Sequence, residues 1–153
     1  VKQMSEGELL QLQKTRKLNL NEETYFEIIR NKTASLLSSA CAIGAYSSST
    51  DEIITERMKH FGEKVGIAFQ IKDDLFDYGK ADIGKPTGND IKEKKLTLPL
   101  IYTLNKVDGH TKRKLIFILK NENKSKEKVK FVIDTVIANG GISYATGMRH
   151  LRF

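Results

Sequence analysis

Apolar residues recur at three- and four-residue spacing along nearly the whole chain, and no stretch keeps the alternation of a half-buried strand. The pattern predicts an all-α fold. Asn21 stands where it can cap a helix through residues 25–46, YFEIIRNKTASLLSSACAIGAY. Ser49-Thr50-Asp51-Glu52 reads as a capping box that opens a helix through IITERMKHFGEKVGIAFQIKDDLFDY, with Gly79 placed to end it. Residues 80–95, KADIGKPTGNDIKEKK, lack sustained periodicity and read as a loop. Thr97 is placed to cap a helix over LPLIYTLNKV, with Pro99 in its first turn. Further helices are expected over KRKLIFILK, over KSKEKVKFVIDTVIAN with Gly140-Gly141 closing it, and from near Ile142 onward. Neither a repeat nor a linker interrupts residues 1–153, so one domain is expected.

Composition agrees with a folded chain: 39% hydrophobic and 29% charged residues can form a core without implying disorder. The single Cys41 rules out an internal disulfide and fits a reducing cytoplasm. Its neighbourhood, SSACAIGA, suggests a thiol packed among small side chains. The first residues, VKQMSEGELL, show no signal-peptide core. Ala34 to Thr50 is uncharged but short and carries six Ser, which favours a buried helix over a membrane span. A net charge of +7 could serve nucleic acid, a membrane surface or phosphorylated small molecules. Zinc-finger spacing and aromatic-basic RNA motifs are missing, and His60, His110 and His150 lie far apart as surface residues, so nucleic acid is set aside.

Against this basic background, FQIKDDLFDY (69–78) crowds Asp73, Asp74 and Asp77 together. At about 100° per residue, a wheel of the helix places Phe61, Val65, Ala68, Phe69, Ile71, Leu75 and Phe76 on one arc. Gln70, Asp73, Asp74 and Asp77 fall on the other, with Gly62 and Gly66. Lys72 falls inside the apolar arc. Asp73 and Asp77 are one turn apart, so they can aim at one point, as a hard cation such as Mg²⁺ requires. The glycines leave room for another group to approach. From spacing alone, an exposed acidic helix face is the favoured reading.

Beyond the carboxylates, GKPTGND and KEKKLTLP bring Lys85, Lys92, Lys94 and Lys95. A glycine-containing loop with lysines can cover phosphates, or it can be a solvated basic loop. Lys32-Thr33 adds another cation and a hydroxyl. A buried Lys32 would need a partner; one that snorkels would not. Metal-binding carboxylates beside phosphate-binding lysines suggest a metal–diphosphate site.

These segments resemble the trans-type polyprenyl diphosphate synthases. NKTASLL resembles that family's Lys-Thr helix, GEKVGIAFQIKDDLFD its second aspartate-rich motif, and IGKPTGNDIKEKKLTLPLI its GKxxGxD…GKxTLP segment. SEGELLQL and NGGISYA are similar to the long-chain members, such as octaprenyl diphosphate synthase. The resemblance implies an isoprenoid synthase helical bundle, usually homodimeric, that condenses isopentenyl diphosphate with an allylic diphosphate using Mg²⁺. It implies that Asp73, with Asp77 and Asp74, holds Mg²⁺. It further implies that Lys32, Lys85 and Lys95 contact the allylic diphosphate, and that Thr33 and Gln70 line the site of the allylic cation. Peripheral membrane contact through the product is a corollary.

Departures from the family pattern are equally informative. The first aspartate-rich motif, its Arg pair and the early Gly-Gly-Lys-Arg segment have no counterpart here, and in the family product length is set near that motif. Where the family has Gly before the second Lys of the loop, this chain has Lys94. The expectation is a C-terminal portion of the fold that lacks the N-terminal helices, is inactive in elongation alone, and self-associates or pairs with the missing part. The alternatives are a non-catalytic helical subunit of a full-length synthase, a terpene cyclase, which the KxxGxD…TLP loop disfavours, and a basic nucleic-acid binder, which the acid cluster disfavours.

Overall fold

The structure is a computed structural model that describes residues 2–18, 21–49, 51–79 and 87–151. Those residues are helical nearly throughout and contain no strand. The helices are α1 (Lys2–Lys17), α2 (Glu22–Ile29), α3 (Ser35–Ser48), α4 (Glu52–Phe76), α5 (Asn89–Lys92), α6 (Leu98–Lys106), α7 (Gly109–Phe117), α8 (Lys126–Ala138) and α9 (Gly141–Leu151). A π turn at Arg30–Ala34 joins α2 to α3 in one rod, and a second at Ile118–Glu122 extends α7.

Several boundaries follow from local chemistry. Asn21 caps α2 by accepting a hydrogen bond from Thr24 N at 2.8 Å. The expected capping box is replaced by Asp51, which accepts from Ile53 N and Ile54 N and so satisfies the first free donors of α4. Thr97 occupies the N-cap position of α6, but its hydroxyl meets Tyr78 Oη at 2.7 Å instead of capping. Pro99 stands in the first turn of α6, as expected. Asn139 ends α8, and Gly140 follows at φ +80°, a left-handed position that costs glycine little. The segment expected to be wholly loop contains α5.

α3 and α4 form a tight antiparallel hairpin through glycine. A Cβ at Gly62 would stand 2.5 Å from Leu37 O, and one at Gly66 would stand 2.5 Å from Ala34 Cα. The two glycines therefore admit the backbone of the neighbouring helix. Elsewhere, Ile71, Ile91, Leu98, Leu100, Ile101, Leu115, Ile118, Leu119, Val132 and Val136 are sealed in one core cluster that joins α4 to the C-terminal helices.

Burial on α4 and α3 departs from what residue type alone suggests. On α4, Ala68 and Ile71 of the apolar arc are buried, but Phe61, Phe69 and Phe76 are exposed. The arc that carries Gly62, Gly66 and Asp74 faces the interior. Lys72 lies on the exposed aromatic side, its ammonium 5.7 Å from the Phe76 ring centroid. α3 is not a buried helix either. Leu36, Ile43 and Tyr46 lie open, and Cys41 is half-buried. The physical reason is shared: α3 and α4 pack tightly on each other, and the other described residues leave their outer faces uncovered.

Candidate active site

The π turn carries Asn31, Lys32 and Thr33. Its extra residue per turn rotates them relative to α2, a device often found at functional sites. The turn packs against α1 and α4. Lys32 is half-exposed and partnered from α1: its Nζ lies 2.6 Å from Glu8 Oε2 and donates to Gln11 Oε1 at 2.7 Å. Thr33 donates to Gln70 Oε1 on α4 at 2.9 Å.

From Gln70 the hydrogen bonds run inward. Gln70 Nε2 donates to Asp74 Oδ1 at 3.0 Å, and Tyr25 Oη donates to Asp74 Oδ2 at 2.6 Å. Tyr25 and Asp74 are both buried. Burial pushes the Asp74 carboxyl up to about 7, against the bonds from Tyr25 and Gln70 that favour its charged form. Burial also raises the Tyr25 phenol, helped by the Asp74 charge.

Asp77 does different work. Its two oxygens accept from Asn89 N at 2.7 Å and Asp90 N at 3.0 Å, while its carbonyl accepts from Gly88 N at 2.9 Å. It thus ties the end of α4 to the start of α5. Burial raises its carboxyl, against those backbone donors. Asp90 is pushed up to about 6 by burial and then by the Asp77 charge. Lys95 stands 3.6 Å from Asp90 Oδ1 and 2.5 Å from Glu93 Oε2.

A cavity of about 100 Å³ lies among these groups, with Lys32, Thr33, Gln70, Asp73, Asp74 and Lys95 in its wall. Asp73, Asp90 and Lys95 also line a more open cleft of about 330 Å³ that reaches Asp77 and Glu93. Among the described residues, the two spaces are lined by five carboxylates (Asp73, Asp74, Asp77, Asp90 and Glu93) and two ammonium groups (Lys32 and Lys95). That excess of hard, negative oxygen donors suits a cation such as Mg²⁺, which takes one or two carboxylates together with waters and phosphate oxygens. The three carboxylates expected to surround one ion do not converge, however. Asp74 is engaged by Tyr25 and Gln70, Asp77 by α5, and only Asp73 of the three is exposed. Among the described residues, no three His, Cys, Asp or Glu side chains are grouped to hold a metal by themselves. Of Asp73, Asp74 and Asp77, Asp73 is the one that borders both spaces. Lys85 lies outside the described residues.

Comparison with known proteins bears directly on this arrangement. The family model described as "Polyprenyl synthetase" matches residues 1–136. The chain belongs to the polyprenyl synthetase family. Over 80% of its length it is 37% identical to a short chain isoprenyl diphosphate synthase of Methanocaldococcus jannaschii, and it covers 38% of that relative. A geranylgeranyl pyrophosphate synthase structure from Bacteroides thetaiotaomicron superposes on 99% of the chain with a TM-score of 0.88 at 39% identity, and 50% of that chain is covered. A polyprenyl synthase from Caulobacter crescentus, solved with calcium and isoprenyl diphosphate, does so with a TM-score of 0.91 at 30% identity, and 47% of it is covered. The chain thus spans about two fifths to half the length of these relatives, with their all-α fold.

Within this family, the departure at Lys94 has a local structural answer. Lys94 sits at φ +60°, the left-handed region that glycine tolerates best. Lys94 N bonds Ile91 O at 3.0 Å, and Lys95 N bonds Asp90 O at 2.8 Å. This is the Schellman closure of α5, with Lys94 at C′, where glycine is preferred. Lys94 Nζ donates to Lys120 O at 2.8 Å. Lys95 is thereby brought to the pocket although a non-glycine residue precedes it.

Sequence reasoning missed Glu8, Gln11, Tyr25 and Asp90 as parts of the site. Glu8 and Gln11 stand three residues apart on one helix face, a signal that was available. Tyr25 and Asp74 are separated by 49 positions, and nothing in local spacing joins them.

Proposed function

We propose that the chain carries the half of a prenyl diphosphate synthase active site that binds and ionises an allylic diphosphate for condensation with isopentenyl diphosphate. One observation carries this reading: Lys32, Thr33, Gln70, Asp73 and Lys95, from three separate segments, line one pocket. The Caulobacter crescentus relative, solved with a divalent cation and isoprenyl diphosphate, supports a ligand of that class.

In this reading Asp73 would hold Mg²⁺, and Lys32, Lys85 and Lys95 would bind diphosphate oxygens. Mg²⁺, when bound, supplies positive charge to the departing diphosphate. Lys32 and Lys95 both line the pocket and would turn from their carboxylate partners to the diphosphate oxygens, where charge grows as the C–O bond breaks. Thr33 and Gln70 offer neutral oxygens to the carbon left behind. Asp74 and Asp77 act from behind, holding Gln70 and α5 in place. Residues 1–153 correspond to the C-terminal portion of the fold, acting where diphosphate substrates are dissolved, in the cytoplasm.

The open faces of α3 and α4 favour a companion. Leu36, Ile43, Tyr46, Ile53, Phe61 and Phe69 are each more than half exposed, and large apolar side chains left open in number commonly mark an interaction surface. We assign their cover to the complementary N-terminal part of the fold or to another copy of the chain. Condensation then requires that companion.

The test is turnover. The chain is incubated with Mg²⁺, labelled isopentenyl diphosphate and farnesyl diphosphate, alone and with the N-terminal half of a related synthase. The expected result is no extended product from the chain alone and product on complementation. Elongation by the chain alone would refute the need for a companion. Absence of product and of diphosphate binding in both arms would refute the enzymatic reading in favour of a structural subunit.

A further inference from the structure

Three segments meet in a line of hydrogen bonds that ends at the pocket: Tyr25 to Asp74, Asp74 to Gln70, and Gln70 to Thr33. We propose that Tyr25 and Asp74 are positioning residues that hold the Gln70 side-chain amide in one of its two flip orientations, with the carbonyl oxygen toward Thr33 at the pocket wall. The inference rests on the reading that an allylic cation forms in this pocket.

The argument is one of donors and acceptors. A carboxylate only accepts, whereas an amide offers an oxygen at one position and an NH₂ at the other. With Asp74 ionised, as it is above about pH 7, Gln70 must turn its NH₂ inward, because the flipped amide would press oxygen against oxygen. Tyr25 removes the remaining freedom. Its hydroxyl engages the other Asp74 oxygen at 2.6 Å, so the carboxylate cannot swing away from Gln70. The Thr33 proton is then spent on Gln70 Oε1 at 2.9 Å. Thr33 Oγ1 is left with lone pairs for the pocket, and the inward-facing donors are consumed within the line. An amide flipped the other way would direct the positive end of its dipole toward the pocket, where positive charge develops. Preorganised dipoles of the correct sign lower such a barrier, and dipoles of the wrong sign raise it.

Both side chains also border the pocket, so the test must separate orientation of Gln70 from loss of contact or simple support of the fold. The probes are an ammonium analogue of an allylic diphosphate, with its positive charge at the reacting carbon, and the neutral carbon isostere. Both are titrated with Mg²⁺ into the chain and into Tyr25→Phe and Asp74→Asn. The wild type is expected to prefer the ammonium analogue, and each variant to lose about tenfold of that preference. In Tyr25→Phe the neutral isostere is expected to keep its affinity within about twofold. An unchanged preference, with both ligands weakened equally, would show that the pair only supports the fold and would overturn the inference alone. A wild type that binds neither ligand would overturn the proposed function as well.

A second measurement covers variants that do not fold. In the NMR spectrum of the wild-type chain, the Gln70 side-chain amide is expected to show one slowly exchanging, hydrogen-bonded proton. Rapid exchange of both protons would contradict the lock.

Discussion

At the scale of single residues, the site separates side chains that meet the ligand from side chains that hold others in place. Lys95 belongs to the first group. Lys95→Ala is expected to weaken Mg²⁺-dependent allylic diphosphate binding about tenfold, the size of one charge-assisted hydrogen bond, measured by calorimetric titration. Asp74 belongs to the second, and its burial has a consequence for pH. Its folded pKa, pushed up to about 7, lies above the ordinary carboxyl value of 3.8. Between those values the native state holds the extra proton, so stability falls as pH rises through the window. Asp90, pushed up to about 6, acts with the same sign. Thermal unfolding is expected to give a lower Tm at about pH 8 than at about pH 5, with a shallower slope in Asp74→Asn. A Tm that climbs across the window would contradict this account of Asp74. The DDxxD spacing pointed to the right helical turn, but the division of labour within it was not legible. It depends on Tyr25, Asn89 and Asp90, which are brought in by tertiary packing.

At the scale of elements, caps were readable and register shifts were not. Asn21, Pro99 and Gly140 mark helix ends through chemistry that each residue carries itself. The π turn at Arg30–Ala34 has no such mark: residues of ordinary helical propensity adopt it because neighbouring helices fix their contacts. The wheel of α4 sorted its residues into two arcs but could not say which one is buried. The close fit of Gly62 and Gly66 on α3 decides the orientation instead. Gly66→Ala is therefore expected to destabilise the fold by about 1–3 kcal/mol in urea unfolding, since the added methyl meets the backbone of Ala34 and no flexible side chain can yield. At the end of α5 the expectation is reversed. Lys94→Gly relieves a left-handed lysine. Set against the greater freedom of glycine in the unfolded chain, it is expected to add up to about 1 kcal/mol. A loss of stability on that change would mean that the Lys94 bond to Lys120 O outweighs the backbone term.

At the scale of the whole molecule, the fold class was legible throughout, because helical periodicity is written into every segment. What covers α3 and α4 was not, since an apolar stripe looks the same whether it meets its own chain or another. Among the described residues, no helix is long and apolar enough to cross a membrane. The exposed apolar faces are read as protein contacts in line with the proposed companion. Charged replacements there, such as Phe69→Glu with Ile43→Glu, are expected to reduce the apparent mass in sedimentation without lowering Tm. The central claim is that Asp73, Lys32 and Lys95 share a metal-bridged diphosphate in one pocket. Titration of farnesyl diphosphate into the chain, with and without Mg²⁺, in the wild type and in Asp73→Asn, tests it most directly. The account predicts saturable binding that requires Mg²⁺ and weakens by about 100-fold or more in Asp73→Asn, the upper end of what a lost ligand-site interaction costs in metal affinity. Binding that is indifferent to Mg²⁺, or equal in wild type and Asp73→Asn, would contradict it.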